Sequence, residues 1–129
     1  EDCKAVRPDQ SGYFITTDKL VTHAKASGFD SEWRRVKYEN MEESINTLKQ
    51  LVDNGLPVIV SQQYTKEQSQ YGHFRVVLNI DDENVFFHDP SPKIGGGNMK
   101  WRHDKFVDYW QPTGLEVTGG VYIRISRKI

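Results

Sequence analysis

At 129 residues the chain is long enough for one compact core that buries roughly two thirds of its unfolded surface. Its 17 Lys and Arg are interspersed with 18 Asp and Glu, which excludes the basic face that a nucleic-acid partner needs. No run of about 18 apolar residues is present, so no membrane span is expected, and the charged start Glu1-Asp2-Cys3-Lys4 is not a signal peptide.

Cys3 is the only cysteine, which rules out an internal disulfide and a multi-cysteine zinc site and leaves the compartment open. A start at Glu1 without methionine raises the expectation of an upstream segment. Residues 4–13 read as a loop punctuated by Pro8 and Gly12. A first helix follows, with Thr17 as its N-cap, Leu20, Val21 and Ala24 on one face, and Gly28 closing it. The second helix is better specified. Asn40 caps it with Glu43 three residues on, and Met41, Ile45, Leu48, Leu51 and Val52 recur at helical spacing before Gly55.

The period then changes. Leu56-Pro57-Val58-Ile59-Val60 is an unbroken apolar run, as expected of a strand covered on both faces, with Pro57 tolerated only at its start. Residues 61–71 are polar and read as an exposed loop. Two strands, 73–80 and 84–89, are joined by Asp81-Asp82-Glu83. A glycine-rich loop spans 91–100, and a short helix from Asp104 carries Phe106, Val107 and Trp110. The alternating strand Val121–Ile125 closes the chain, and Arg124, Arg127 and Lys128 read as its solvated end. Helices first and an antiparallel sheet afterwards make the fold α+β, with residues 1–129 as a single domain.

Within this frame His73 opens one strand and Asp89 closes the next. A three-residue turn pairs Ile80 with Asn84, and so places Asp89 opposite Arg75 and His73 opposite Ser91. His73 and Asp89 then share a face as diagonal neighbours about 7–8 Å apart along the backbone. An even-length loop would put them on opposite faces unless a bulge restored the register. An aspartate on one imidazole nitrogen fixes the tautomer and leaves the other nitrogen to take a proton from a thiol or hydroxyl. Gly72 would let a substrate backbone approach the base. The same spacing also fits a histidine–aspartate pair that is merely hydrogen-bonded.

The other candidates carry less. His88 has the opposite parity and should face away, His23 lies among lysines on the first helix, and His103 sits near a helix start. The four histidines share no metal-ligand spacing, so no metal is expected. Gly95-Gly96-Gly97 lacks the strand–loop–helix setting and the Lys-Ser/Thr of a phosphate cradle, so no cofactor is expected either. Trp101, Tyr109 and Trp110 beside a short helix read as core rather than as a ligand platform.

Taken in order, Gly55-Leu56-Pro57-Val58-Ile59-Val60, Gly72-His73-Phe74-Arg75-Val76-Val77, Phe87-His88-Asp89-Pro90 and Phe106-x-x-x-Trp110 resemble the papain-like bacterial peptidases that process double-glycine leader peptides of bacteriocins, and their stand-alone relatives. The resemblance covers about residues 12–125. It implies a papain-like cysteine peptidase fold, with helices packed on an antiparallel sheet, and a peptide or protein substrate. It also implies that His73 is the general base and Asp89 its orienting acid.

The family's nucleophile is a cysteine that starts a long helix, a few residues after an oxyanion-hole glutamine. Cys3 departs from that pattern, with two residues ahead of it and Pro8 interrupting any helix it could begin. The nucleophile is therefore expected upstream of residue 1, or on a second chain, which makes the domain N-terminally incomplete. The alternatives are a catalytically inactive papain-like module that binds a peptide or protein partner, and a structural α+β domain whose His73–Asp89 pair is simply satisfied.

Overall fold

A computed structural model describes residues 4–6, 13–90, 97–113 and 116–127. Its main body is a six-stranded antiparallel sheet in the order β3-β8-β4-β5-β6-β7. The strands are β3 (Phe29–Arg35), β4 (Val58–Gln63), β5 (Gly72–Ile80), β6 (Asn84–His88), β7 (Met99–Arg102) and β8 (Val121–Arg127), with helices α1 (Thr17–Ala26), α2 (Met41–Asp53) and α3 (His103–Asp108). A separate two-stranded sheet pairs β1 (Lys4–Val6) with β2 (Tyr13–Ile15), where the sequence suggested only loop.

The helices form where their ends are satisfied. Asn40 Oδ1 accepts from the Glu43 amide at 3.1 Å at the start of α2, as its sequence spacing required. For α1 the cap is Thr16 rather than Thr17, with Thr16 Oγ1 accepting from the Lys19 amide at 3.3 Å. Both helices run out into glycines with left-handed backbone, Gly28 at φ 93° and Gly55 at φ 78°. No helix among the described residues is long and apolar enough to cross a membrane.

Helices α2 and α3 cover one face of the sheet, where Ile45, Leu48, Val58, Val60, Val77, Val85, Phe87, Phe106 and Trp110 form the core. Helix α1 lies on the other face against β3 and β8. Trp33 Nε1 donates to Asp18 of α1 at 2.8 Å, and the register sets Trp33 across from Ile123 and Ile123 across from Ile59, on the opposite side from Val60. Burial of apolar side chains at about 25 cal/mol per Å² drives this packing.

Three strands of the main sheet also differ from the sequence reading. Strand β3 was not anticipated, because Phe-Asp-Ser-Glu-Trp-Arg-Arg is an edge strand with charges along it and no clean period-two hydrophobic signal. Strand β7 lies where the glycine-rich loop was expected to run on to residue 100. Strand β4 continues through Ser61, Gln62 and Gln63, which are buried rather than part of an exposed loop.

Candidate active site

The polar end of β4 explains itself through α3. The last carbonyls of this six-residue helix lack the i+4 amides of a continuing helix. Gln62 Nε2 donates to the Phe106 carbonyl at 2.9 Å, and the Gln63 side chain donates to the Asp108 and Gln111 carbonyls at 3.3 and 3.1 Å. The Gln63 amide donates to the Tyr109 carbonyl at 2.8 Å. Two glutamines in a row thus finish α3 and weld it to the sheet, which offsets their own desolvation.

That weld positions the next strand. The β4–β5 register pairs Val60 with Arg75 and Gln62 with His73, so His73, Arg75 and Val77 point toward the α2–α3 face together with Gln62. Strand β6 pairs Val76 with His88 and Val77 with Phe87, so Asp89, one residue past His88, comes opposite Arg75. The anticipated diagonal is therefore realised. His73 Nε2 and Asp89 Oδ1 are 2.6 Å apart, and an ionised Asp89 accepts the Nε2 proton.

The route to that geometry differs from a simple turn count. Next to the turn Ile80 pairs with Val85, not Asn84, and Asn79 pairs with Phe86. The register shifts between Val77 and Asn79, and the extra residue Leu78 is 53% exposed. This bulge returns Val77, Arg75 and His73 to the core face.

Asp89 is fully buried, and its second oxygen accepts from Arg75 Nε at 2.8 Å. Arg75 is also fully buried. Its terminal nitrogens donate to Gln62 Oε1 at 3.2 Å and to the Gln63 and Tyr64 carbonyls at 2.9 and 2.8 Å. The guanidinium carbon lies 4.8 Å from the Trp101 ring centre and 5.6 Å from that of Tyr109. Burial pulls the Arg75 pKa below its ordinary value, while the charge and hydrogen bond of Asp89 oppose that fall. Trp101 and Trp110 are core residues, and Trp110 Nε1 donates to the Val121 carbonyl.

The His73 side chain is 16% exposed, and the Tyr64 ring meets it edge-on at 5.1 Å. Gly72, just before it, serves a different purpose from the one expected. A Cβ there would sit 3.0 Å from the Glu116 carbonyl oxygen, and the Gly72 amide donates to Glu116 Oε1 at 2.8 Å. The missing side chain admits the 116–117 segment of this chain. Chemically, the arrangement is an imidazole with one nitrogen, Nε2, held by a buried carboxylate, which fixes the ring's orientation.

The other histidines stand apart from this pair. His88 is exposed on the opposite face, His23 is exposed on α1, and His103 donates from Nε2 to the Asp81 carbonyl at 2.8 Å. Cys3 and Ser91 lie outside the described residues, as do Gly95 and Gly96. Arg75 and Gln62 are the participants that motif reading passed over. An arginine and a glutamine at alternating positions of otherwise apolar strands were the available signal.

The sequence profile of the Peptidase_C39 like family matches residues 9–117. The chain belongs to that family. Its described structure is similar to the peptidase domain of Streptococcus ComA, a bifunctional ABC transporter involved in quorum sensing, with a TM-score of 0.62 at 20% identity over 88% of this chain and 68% of that one. The inhibitor-bound peptidase domain of Streptococcus mutans ComA gives 0.61 at 20% identity, over 87% and 75%. A C39-like protein from Bacillus anthracis gives 0.65 at 19% identity, over 95% of this chain and 64% of that one. No curated protein matches. The fold is thus that of C39 peptidase domains, helices on an antiparallel sheet in the papain-like manner, and the chain is a peptidase-like domain.

Proposed function

We propose that this domain hydrolyses peptide or amide bonds as a cysteine peptidase, with His73 as general base and Asp89 as its orienter. The nucleophilic cysteine comes from a segment upstream of residue 1. His73 removes the thiol proton, the thiolate attacks the substrate carbonyl, and the imidazolium protonates the departing amine to leave a thioester. Water then gives a proton to His73, attacks the thioester, and releases the acid and the thiol. The observation that carries this reading is the 2.6 Å bond between a slightly exposed imidazole and a fully buried carboxylate, in a chain of a peptidase family.

The test uses the natural gene product with whatever precedes residue 1, mixed with a diverse peptide library and followed by mass spectrometry. Cleavage is expected, and H73A should reduce it at least ~100-fold, the scale of a lost general base. A thiol alkylator should abolish it, and peptide mapping should place the label on a cysteine other than Cys3. Cleavage unchanged in H73A would sink the assignment. Peptide capture without any cleavage would instead establish a catalytically inactive binding module.

A further inference from the structure

Position 75 faces the core between apolar neighbours. Its strand partner is Val60, the next inward residue on its own strand is Val77, and Trp101 covers it. A valine or methionine would fit such a site and would avoid burying a charge, and replacing buried ion pairs by apolar residues is often neutral or stabilising. Packing alone therefore gives no reason for an arginine. Asp89 does. A fully buried aspartate has no solvent to sustain its charge, and His73 offers it a full counter-charge only when protonated.

We propose that Arg75 is the positioning residue of the His73–Asp89 pair: it holds Asp89 as a carboxylate with one oxygen turned to His73 and anchors that carboxylate to the end of β4. The geometry is a fork used on two sides. Nε takes Asp89 Oδ2 and leaves Oδ1 for His73, while the terminal nitrogens grip Gln62 Oε1 and the Gln63 and Tyr64 carbonyls. Tyr64 in turn packs against the His73 ring, so the same guanidinium fixes both the carboxylate and the backbone that flanks the imidazole. The proposal rests on the reading of His73 and Asp89 given above.

With Arg75 present, a pair bearing one negative charge, carboxylate plus neutral imidazole, is balanced. Without it the pair favours net neutrality and retains its last proton to higher pH, whichever of the two partners carries that proton. Among the described residues, the other ionisable groups nearby are Tyr64 on the ring, Glu116 at the Gly72 amide and Tyr109 beside the Arg75 guanidinium. Lys66 is paired with Asp108, and Lys105 lies over Trp101.

The test is an NMR pH titration of the His73 ring nitrogens in the 129-residue protein, with the His73 signals assigned from H73Q. R75Q should raise the midpoint by about one pH unit or more, a tenfold or greater gain in proton affinity. R75K keeps the charge and loses the fork, so its midpoint should stay near that of the parent while the His73 Nε2 proton exchanges faster with solvent. In the natural gene product R75K should lower kcat with little change in KM. A folded R75Q with an unmoved midpoint overturns the proposal. If R75Q does not fold, R75K decides, and Nε2 exchange as slow as in the parent overturns it. The titration needs no turnover: a shifted midpoint without cleavage would mean that the peptidase reading fails, and cleavage with an unshifted midpoint that the Arg75 role fails.

Discussion

The two ends of the β5–β6 hairpin follow different rules. At the turn, local hydrogen bonds decide: Asp81 Oδ1 accepts from the Glu83 and Asn84 amides at 2.9 and 2.7 Å, and the first pairs are Ile80 with Val85 and Asn79 with Phe86. At the open end, long-range partners decide: Arg75, Asp89 and Gln62 are held by one another, by α3 and by the end of β4. Leu78 lies between them and absorbs the mismatch of one residue. A turn can thus adopt its preferred geometry without dictating which face the site residues occupy.

Breaking the arrangement at the open end should have the largest effect. Asp89→Ala strands Arg75 and should lower stability by ~3–5 kcal/mol in urea denaturation. Gly72→Ala pushes a methyl group against the Glu116 carbonyl and should cost ~1–3 kcal/mol by the same measurement. Values near zero for Asp89→Ala would mean that the polar cluster is not organised as described.

The turn end should be far more forgiving. Deletion of Leu78 removes the extra residue and leaves the pairs on both sides intact, so stability should change by less than ~1 kcal/mol and the His73 ring signals should stay in place. A large loss would show that the bulge stores something the open end depends on. Acid gives the smallest effect. The Asn84 and then the Glu83 amide hold the Asp81 carboxyl below its ordinary 3.8. Its folded value is the lower one, so its contribution is complete above pH 3.8 and is lost as pH falls through that lowered value. Amide exchange at residues 83 and 84 should quicken only there.

Much of this was legible in the residues. The helical spacing of Ile45, Leu48, Leu51 and Val52, the Asn40 cap, the apolar run from Val58 and the shared face of His73 and Asp89 follow from local periodicity and simple parity. The parity argument nevertheless reached the right face through two offsetting departures, a different pair at the turn and a bulge at Leu78, and neither has a signature in a stretch of consecutive strand-forming residues. Gln62 and Gln63 read as loop because polarity normally marks exposure, whereas here carbonyls at and just beyond the end of α3 accept their side-chain amides. Those acceptors lie some 45 positions away and are visible only once the sheet and helix are assembled. The nucleophile assigned to an upstream segment has no counterpart among the described residues.

The order of strands also constrains how the molecule can be made. Strand β8 sits between β3 and β4, so two neighbours in the finished sheet are joined only by the part of the chain synthesised last among the described residues. On a ribosome, β4 to β7 can pair as they emerge, while β3 and α1 have no seat until residues 121–127 clear the exit tunnel. Such distant pairing slows folding and leaves apolar edges exposed in the meantime. Phe29 and Trp33 on the waiting strand are where a chaperone would be expected to bind the nascent chain.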